Sequence, residues 1–184
     1  MIGRIWPQGL SLALSTLGFG TLFSFLGLYF AAHQWTGAPF GLTAFGIAYI
    51  GARLAFGHLP DKLGGLTVAK ITLPAQCVGL AMLWLAPSAM LALVGCAIVG
   101  AGYSLTFPAL GVDAIRQVPP QNRGAAMGAY VAFVDIGLGA TGLISGSLAG
   151  AFGYASTFLL AALASMAAFI LLMVQRRYAT AHSA

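Results

Sequence analysis

Asp135 is the one acidic side chain that falls well inside an apolar stretch of this 184-residue chain. Counted from Gly124 at 1.5 Å per residue, it lies ~16 Å deep, near the middle of a bilayer. An ionised carboxylate there costs ~2.5–3.5 kcal/mol on insertion scales, so it must face a cavity or a partner, and protonation relieves the cost. The chemistry expected of it is uptake and release of a proton linked to solute movement; the structural alternative is a hydrogen bond to a hydroxyl on a neighbouring helix. A second charged feature is Gly57-His58-Leu59-Pro60-Asp61-Lys62-Leu63-Gly64-Gly65, in a chain only 6% charged. Glycines at both ends allow a sharp reversal, Pro60 fixes φ, and Asp61 beside Lys62 presents both signs at a membrane surface. Arg53, about one turn earlier, can join these charges or extend its head to water. Asp113 and Arg116, three apart, read as a local surface pair.

Other side chains suit a path for solute. Thr21, Ser24 and Tyr29 in the first apolar stretch, and Tyr103, Ser104 and Phe107 in the fourth, give these two segments the polar and aromatic content of cavity-lining helices. Hydroxyls and rings of this kind suit a neutral or amphipathic ligand. From Asp135 one helical face continues through Gly139, Gly142, Gly146 and Gly150, a stripe of small residues expected to serve as a packing seam. Pro108 can bend the fourth stretch and leave carbonyls without partners. Cys77 and Cys96 read as small apolar packing residues, neither having metal-ligand spacing with a His, and no metal or cofactor is expected.

These residues need elements to hold them, and the composition says which. The chain is 60% hydrophobic with mean hydropathy +0.94, too apolar to cover a water-facing surface. A helix needs ~20 apolar residues to cross a ~30 Å core, and six stretches qualify: roughly 10–32, 40–58, 67–86, 88–111, 124–150 and 153–175. The expected fold is an all-α integral membrane bundle of six transmembrane helices, one domain over residues 1–184. The basic residues fall at alternate ends: Arg4; Arg53, Lys62 and Lys70; Arg116 and Arg123; Arg176 and Arg177. By the positive-inside rule both termini are expected to be cytoplasmic. A pI near 9.6 is then a matter of orientation and anionic lipid, and no nucleic-acid partner is expected. Spans three and six, mostly apolar, are expected to face lipid.

The residues Gly18-Phe19-Gly20-Thr21-Leu22-Phe23-Ser24-Phe25 align with Gly100-Ala101-Gly102-Tyr103-Ser104-Leu105-Thr106-Phe107, a faint repeat of three spans. An odd number of spans per unit puts the two copies in opposite orientation, the arrangement that permits alternating access. The charged turn resembles the Gly-x-Leu-x-Asp-Arg/Lys-x-Gly signature of major facilitator superfamily (MFS) transporters, although Gly65 and Leu66 stand where the family has a basic pair. Pro119-Pro120-Gln121-Asn122-Arg123-Gly124 is similar to the connection between the tenth and eleventh helices of that family. Gly51-Ala52-Arg53-Leu54 resembles bacterial inner-membrane efflux members described as handling sugars or drugs. The stripe below Asp135 faintly resembles the antiporter motif, but Leu143 replaces its proline.

The resemblance implies an MFS-type half-bundle with a 3+3 inverted repeat, the second half of a twelve-helix transporter. It implies a secondary transporter of small solutes in the bacterial inner membrane, with Gly57, Asp61, Lys62, Gly64 and Arg53 at a cytoplasmic gate. The partners implied are a small-molecule substrate, the bilayer, and either an N-terminal half-bundle or a second copy of this chain. A non-transporting membrane subunit is the alternative. An intramembrane hydrolase is disfavoured, because His33, His58 and His182 fall in loops or a tail, none at mid-membrane, and no Gly-x-Ser-x-Gly elbow occurs. The chain also lacks the Asn-Pro-Ala pair of a water channel.

Overall fold

The computed structural model describes the backbone of residues 2–181 and the side chains of residues 5–175. Arg4, Arg176, Arg177 and His182 therefore lie outside the described side chains. The helices are α1 (Ile2–Ala32), α2 (Ala38–Phe56), a short α3 (Leu59–Leu63), α4 (Gly65–Trp84), α5 (Ala89–Arg116), α6 (Arg123–Phe152) and α7 (Ala155–Ala181), with a 3-10 turn at Pro120–Asn122. Among the described residues six of these are long and apolar enough to cross a membrane, and they correspond to the six expected spans. Several boundaries differ: α1 begins at Ile2 rather than near residue 10, and α5 runs on to Arg116. The charged turn folds into α3, and Gly153, expected to open the sixth span, is the linker before α7, with φ 82°.

The two three-helix units exchange their second and third helices. α2 and α4 pack on α5, α6 and α7 pack on α1, and α4 packs on α7. The two second-helix contacts run parallel in steps of four residues, the spacing that keeps one face of a helix in line. Along α1 and α6, Gly9 meets Phe133, Ala13 meets Gly137 and Thr21 meets Ser145. Along α2 and α5, Phe45 meets Gly100 and Tyr49 meets Ser104. A Cβ at Gly137 would sit 2.6 Å from the Ala13 carbonyl, and one at Gly100 would overlap the Phe45 carbonyl. Glycine is what lets these backbones meet.

Hydroxyls and amides inside the bundle tie helices together, because lipid offers them no alternative partner. Ser15 Oγ donates to Gln76 Oε1 at 2.7 Å, and Gln76 Nε2 donates back to the Ser15 carbonyl at 2.8 Å. Thr106 Oγ1 donates to Thr72 Oγ1 at 2.9 Å, joining α5 to α4. Gln8 Nε2 donates to Asp113 Oδ2 at 2.8 Å, and Gln117 Nε2 donates to the same oxygen at 3.3 Å. Asp113 is thus engaged by amides from α1 and from its own helix end, where a surface pair with Arg116 was expected.

Coverage within the chain differs from helix to helix. In the apolar window of α1, 67% of residues are buried, against 11% in α2 and 17% in α6. α4 and α7, expected to be the lipid-facing pair, are buried over 44% of theirs. The exchange explains the order: α1 and α5 stand at the centre, and α2 and α6 each lean on one of them with a single face.

Candidate functional site

Aromatic side chains one helical turn apart share a face, and three helices bring such faces together. Phe19 and Phe23 of α1 lie 4.5 Å apart between ring centroids, and Phe45 and Tyr49 of α2 lie 5.9 Å apart. Tyr103 of α5 stacks on Phe19 at 4.9 Å, and Phe23 meets Phe45 edge-on at 5.5 Å. Together with Leu42, Gly46 and Ile50 these rings line a cavity of about 460 Å³ between α1, α2 and α5. A second recess of about 370 Å³ continues from Phe23 and Leu42 past Ser24 and Pro39.

The side-chain polar groups lining the main cavity are the hydroxyls of Tyr49 and Tyr103. Thr16 Oγ1 lies 2.8 Å from the Leu12 carbonyl, to which it donates, and 3.2 Å from the Tyr103 hydroxyl. With the Thr16 proton committed to Leu12, Tyr103 is the donor to Thr16. A Tyr103 lone pair remains to accept a hydrogen bond from a ligand. The walls therefore suit a ring-bearing or amphipathic molecule that brings its own N–H or O–H.

The expected site residues separate into two groups. Tyr103 lines the first cavity and Ser24 the second. Thr21, Tyr29, Ser104 and Phe107 are engaged between helices. Thr21 Oγ1 is 3.3 Å from Ser145 Oγ, Tyr29 donates to the Leu83 carbonyl at 2.8 Å, Ser104 donates to the Tyr49 carbonyl at 2.7 Å, and Phe107 packs on Tyr130 at 5.5 Å. Phe19, Phe23, Phe45 and Tyr49 were not singled out in the sequence. Their signal was the four-residue spacing of rings on two separate spans, which gains meaning only once the two faces are known to meet.

Asp135 is not among the residues lining either cavity. It is exposed on α6, two residues and so about 200° around the helix from Phe133 and Gly137, which face α1. Gly139, Gly142, Gly146 and Gly150 have open space where a Cβ would be. Among the described residues nothing lies within 4 Å of such a Cβ, and the seam of α6 is Gly137, Thr141 and Ser145.

In the charged turn, Gly64 has φ 87° and ψ 143°, a conformation that favours glycine. Gly57 keeps right-handed helical angles, φ −59° and ψ −19°, so the reversal depends on Gly64 alone. Asp61 and Lys62 are exposed. A Cβ at Gly64 would lie 3.7 Å from Arg116 Nη1, which puts the α2/α4 and α5/α6 connections at one end of the bundle. Arg53 turns away from the charged loop and donates to the Ser104 carbonyl at 3.2 Å.

Similarity to known proteins agrees with this geometry. The Major Facilitator Superfamily profile matches residues 9–183. This chain belongs to that superfamily. Its six apolar helices are those of a multi-pass MFS half-bundle. It is 50% identical over 167 residues to an uncharacterized MFS-type transporter of Burkholderia mallei (strain SAVP1), covering 91% of this chain and 41% of that protein. It is likewise 47% identical over 177 residues to one of Pseudomonas aeruginosa (strain UCBPP-PA14), covering 96% of this chain and 44% of that protein. The chain thus spans less than half the length of these curated MFS relatives.

Proposed function

We propose that this chain is the second six-helix half of a secondary transporter in a bacterial inner membrane, with both termini cytoplasmic. It acts by alternating access on small neutral or amphipathic solutes, in the direction of efflux. The aromatic cavity between α1, α2 and α5 supports this reading, because its walls offer apolar rings and the hydroxyls of Tyr49 and Tyr103 to a solute. Residues along the outward faces of α2 and α6 are available to the other half, whether an N-terminal half-bundle or a second copy, and the greater length of the relatives favours the N-terminal half-bundle.

In this reading Asp135 and the stripe Gly139, Gly142, Gly146 and Gly150 face the other half. Small residues allow close approach of helices, and a carboxylate at such a boundary takes up a proton in one access state and releases it in the other. Asp61 and Lys62, beside Gly57 and Gly64, act at the cytoplasmic gate. A carboxylate that meets the positive end of a helix contributes ~0.3–1 kcal/mol to one access state.

The deciding experiment reconstitutes the full-length polypeptide in liposomes and follows proton-linked movement of a panel of amphipathic solutes. Asp135→Asn should abolish proton-driven movement while leaving membrane abundance and solute exchange in place. Proton-driven transport that persists in Asp135→Asn would remove this carboxylate from the mechanism. Absence of transport by the wild-type protein across the panel would favour the alternative of a non-transporting subunit.

A further inference from the structure

A helical carbonyl normally accepts from the N–H four residues later, and proline has no N–H to offer. Pro108 lies inside α5, so the carbonyl of Ser104 loses its partner within the helix. Arg53 of α2 supplies one, its Nη1 donating to that carbonyl at 3.2 Å. The hydroxyl of the same serine donates to the Tyr49 carbonyl at 2.7 Å. Tyr49 and Arg53 are on successive turns of α2, so one residue of α5 is gripped at two points by one face of its neighbour. The grip lies between two functional features. Tyr49 and Tyr103 line the aromatic cavity, and α2 is capped by Gly57, one turn after Arg53, where the charged loop begins.

We propose that Arg53 is a positioning residue that caps the carbonyl freed by Pro108, and that this cap holds α5 against α2 and fixes the aromatic cavity between them. A guanidinium suits this role because it stays charged, is more weakly hydrated than an ammonium, and reaches along the helix from a long apolar stem. A carbonyl left without a donor inside a membrane protein is costly, so loss of the cap releases α5 to bend or shift at Pro108. The role of the cavity in solute transport rests on the function proposed above; the cap itself does not.

The cap makes the effect of residue 53 depend on residue 108, because Pro108→Ala restores the N–H that Ser104 needs. The test is a cycle of four full-length proteins in detergent: wild type, Arg53→Gln, Pro108→Ala and the double variant. Arg53→Gln should lower the unfolding midpoint by about 3–6 °C with Pro108 present and by less than about 1 °C in the Pro108→Ala background. Equal shifts in both backgrounds, or no shift with Pro108, would overturn the cap. If Arg53→Gln fails to accumulate, its recovery by Pro108→Ala carries the same positive meaning, and failure in both backgrounds overturns the proposal. A second readout separates positioning from stability alone. A cysteine at the cavity wall, Ile50→Cys with Cys77 and Cys96 replaced by Ala, is labelled by an impermeant maleimide in oriented vesicles at a temperature well below every midpoint. Arg53→Gln should change that rate several-fold, and the double variant should match Pro108→Ala. An unchanged rate in Arg53→Gln overturns the positioning role, whether or not the protein transports any solute tested.

Discussion

Ser15 and Gln76 bond each other twice, hydroxyl to amide oxygen at 2.7 Å and amide nitrogen to backbone carbonyl at 2.8 Å, with both residues fully buried. The pair gives partners to both the oxygen and the nitrogen of one amide without water, and it fixes the register of α1 on α4. Nothing in the spacing of a lone serine and a lone glutamine on separate apolar stretches announces it.

Removing the Ser15 hydroxyl leaves Gln76 Oε1 buried and unpaired. Ser15→Ala should destabilise the bundle by about 1–2 kcal/mol, and Gln76→Leu by about 1–3 kcal/mol. The double variant should lose less than the sum of the two, because neither orphan then remains. Unfolding midpoints of the four proteins in one detergent check this, and strict additivity would show that the pair does not act as a unit.

Two glycines of α6 separate packing within this chain from packing against something else. Gly137→Ala pushes a methyl to 2.6 Å from the Ala13 carbonyl and should destabilise the bundle by about 1–3 kcal/mol. Gly142→Ala meets open space and gains helix propensity, so the midpoint should hold or rise slightly. If the stripe faces a second half-bundle, Gly142→Leu should impair transport by the full-length protein while leaving its abundance intact. Normal transport in Gly142→Leu would remove the stripe from any such contact.

Tyr103→Phe keeps the ring that stacks on Phe19 and removes only the hydroxyl. Thr16 retains its bond to Leu12, so no buried donor is orphaned and the midpoint should move by no more than about 2 °C. A solute whose N–H or O–H is accepted by Tyr103 should bind several-fold more weakly, while an apolar ring without a donor should bind as before. Equal loss for both classes would assign the effect to packing rather than to the hydroxyl.

Much of the architecture was legible because hydrophobicity over ~20 residues is a local property that a bilayer reads directly. Six spans, the short connections between them and the family signature all followed from runs of residue types. Charge placement was legible too, since Lys62 and Arg116 stand next to span ends. Face assignment on a helix was not legible. On α6 the residue set against α1 is Gly137, two residues from Asp135, while the stripe through Gly139 and Gly142 faces away from the described helices of this chain. Hydrophobic periodicity marks a core when the other side is water; inside a membrane both sides are apolar, and the pattern fades.

Residue order alone was enough to require a six-helix membrane bundle, because stretches this long and apolar can satisfy their backbone in lipid only as helices. Its loop motifs carried the resemblance to the major facilitator superfamily. Which residues meet depended on how those helices pack. The exchange of α2 and α6 between units brings Phe19, Phe45 and Tyr103 from three helices to one cavity. It also sets Arg53 beside the carbonyl that Pro108 leaves open. Such meetings depend on helix rotation and register, which shape complementarity and interhelical hydrogen bonds fix and which no single stretch of sequence contains.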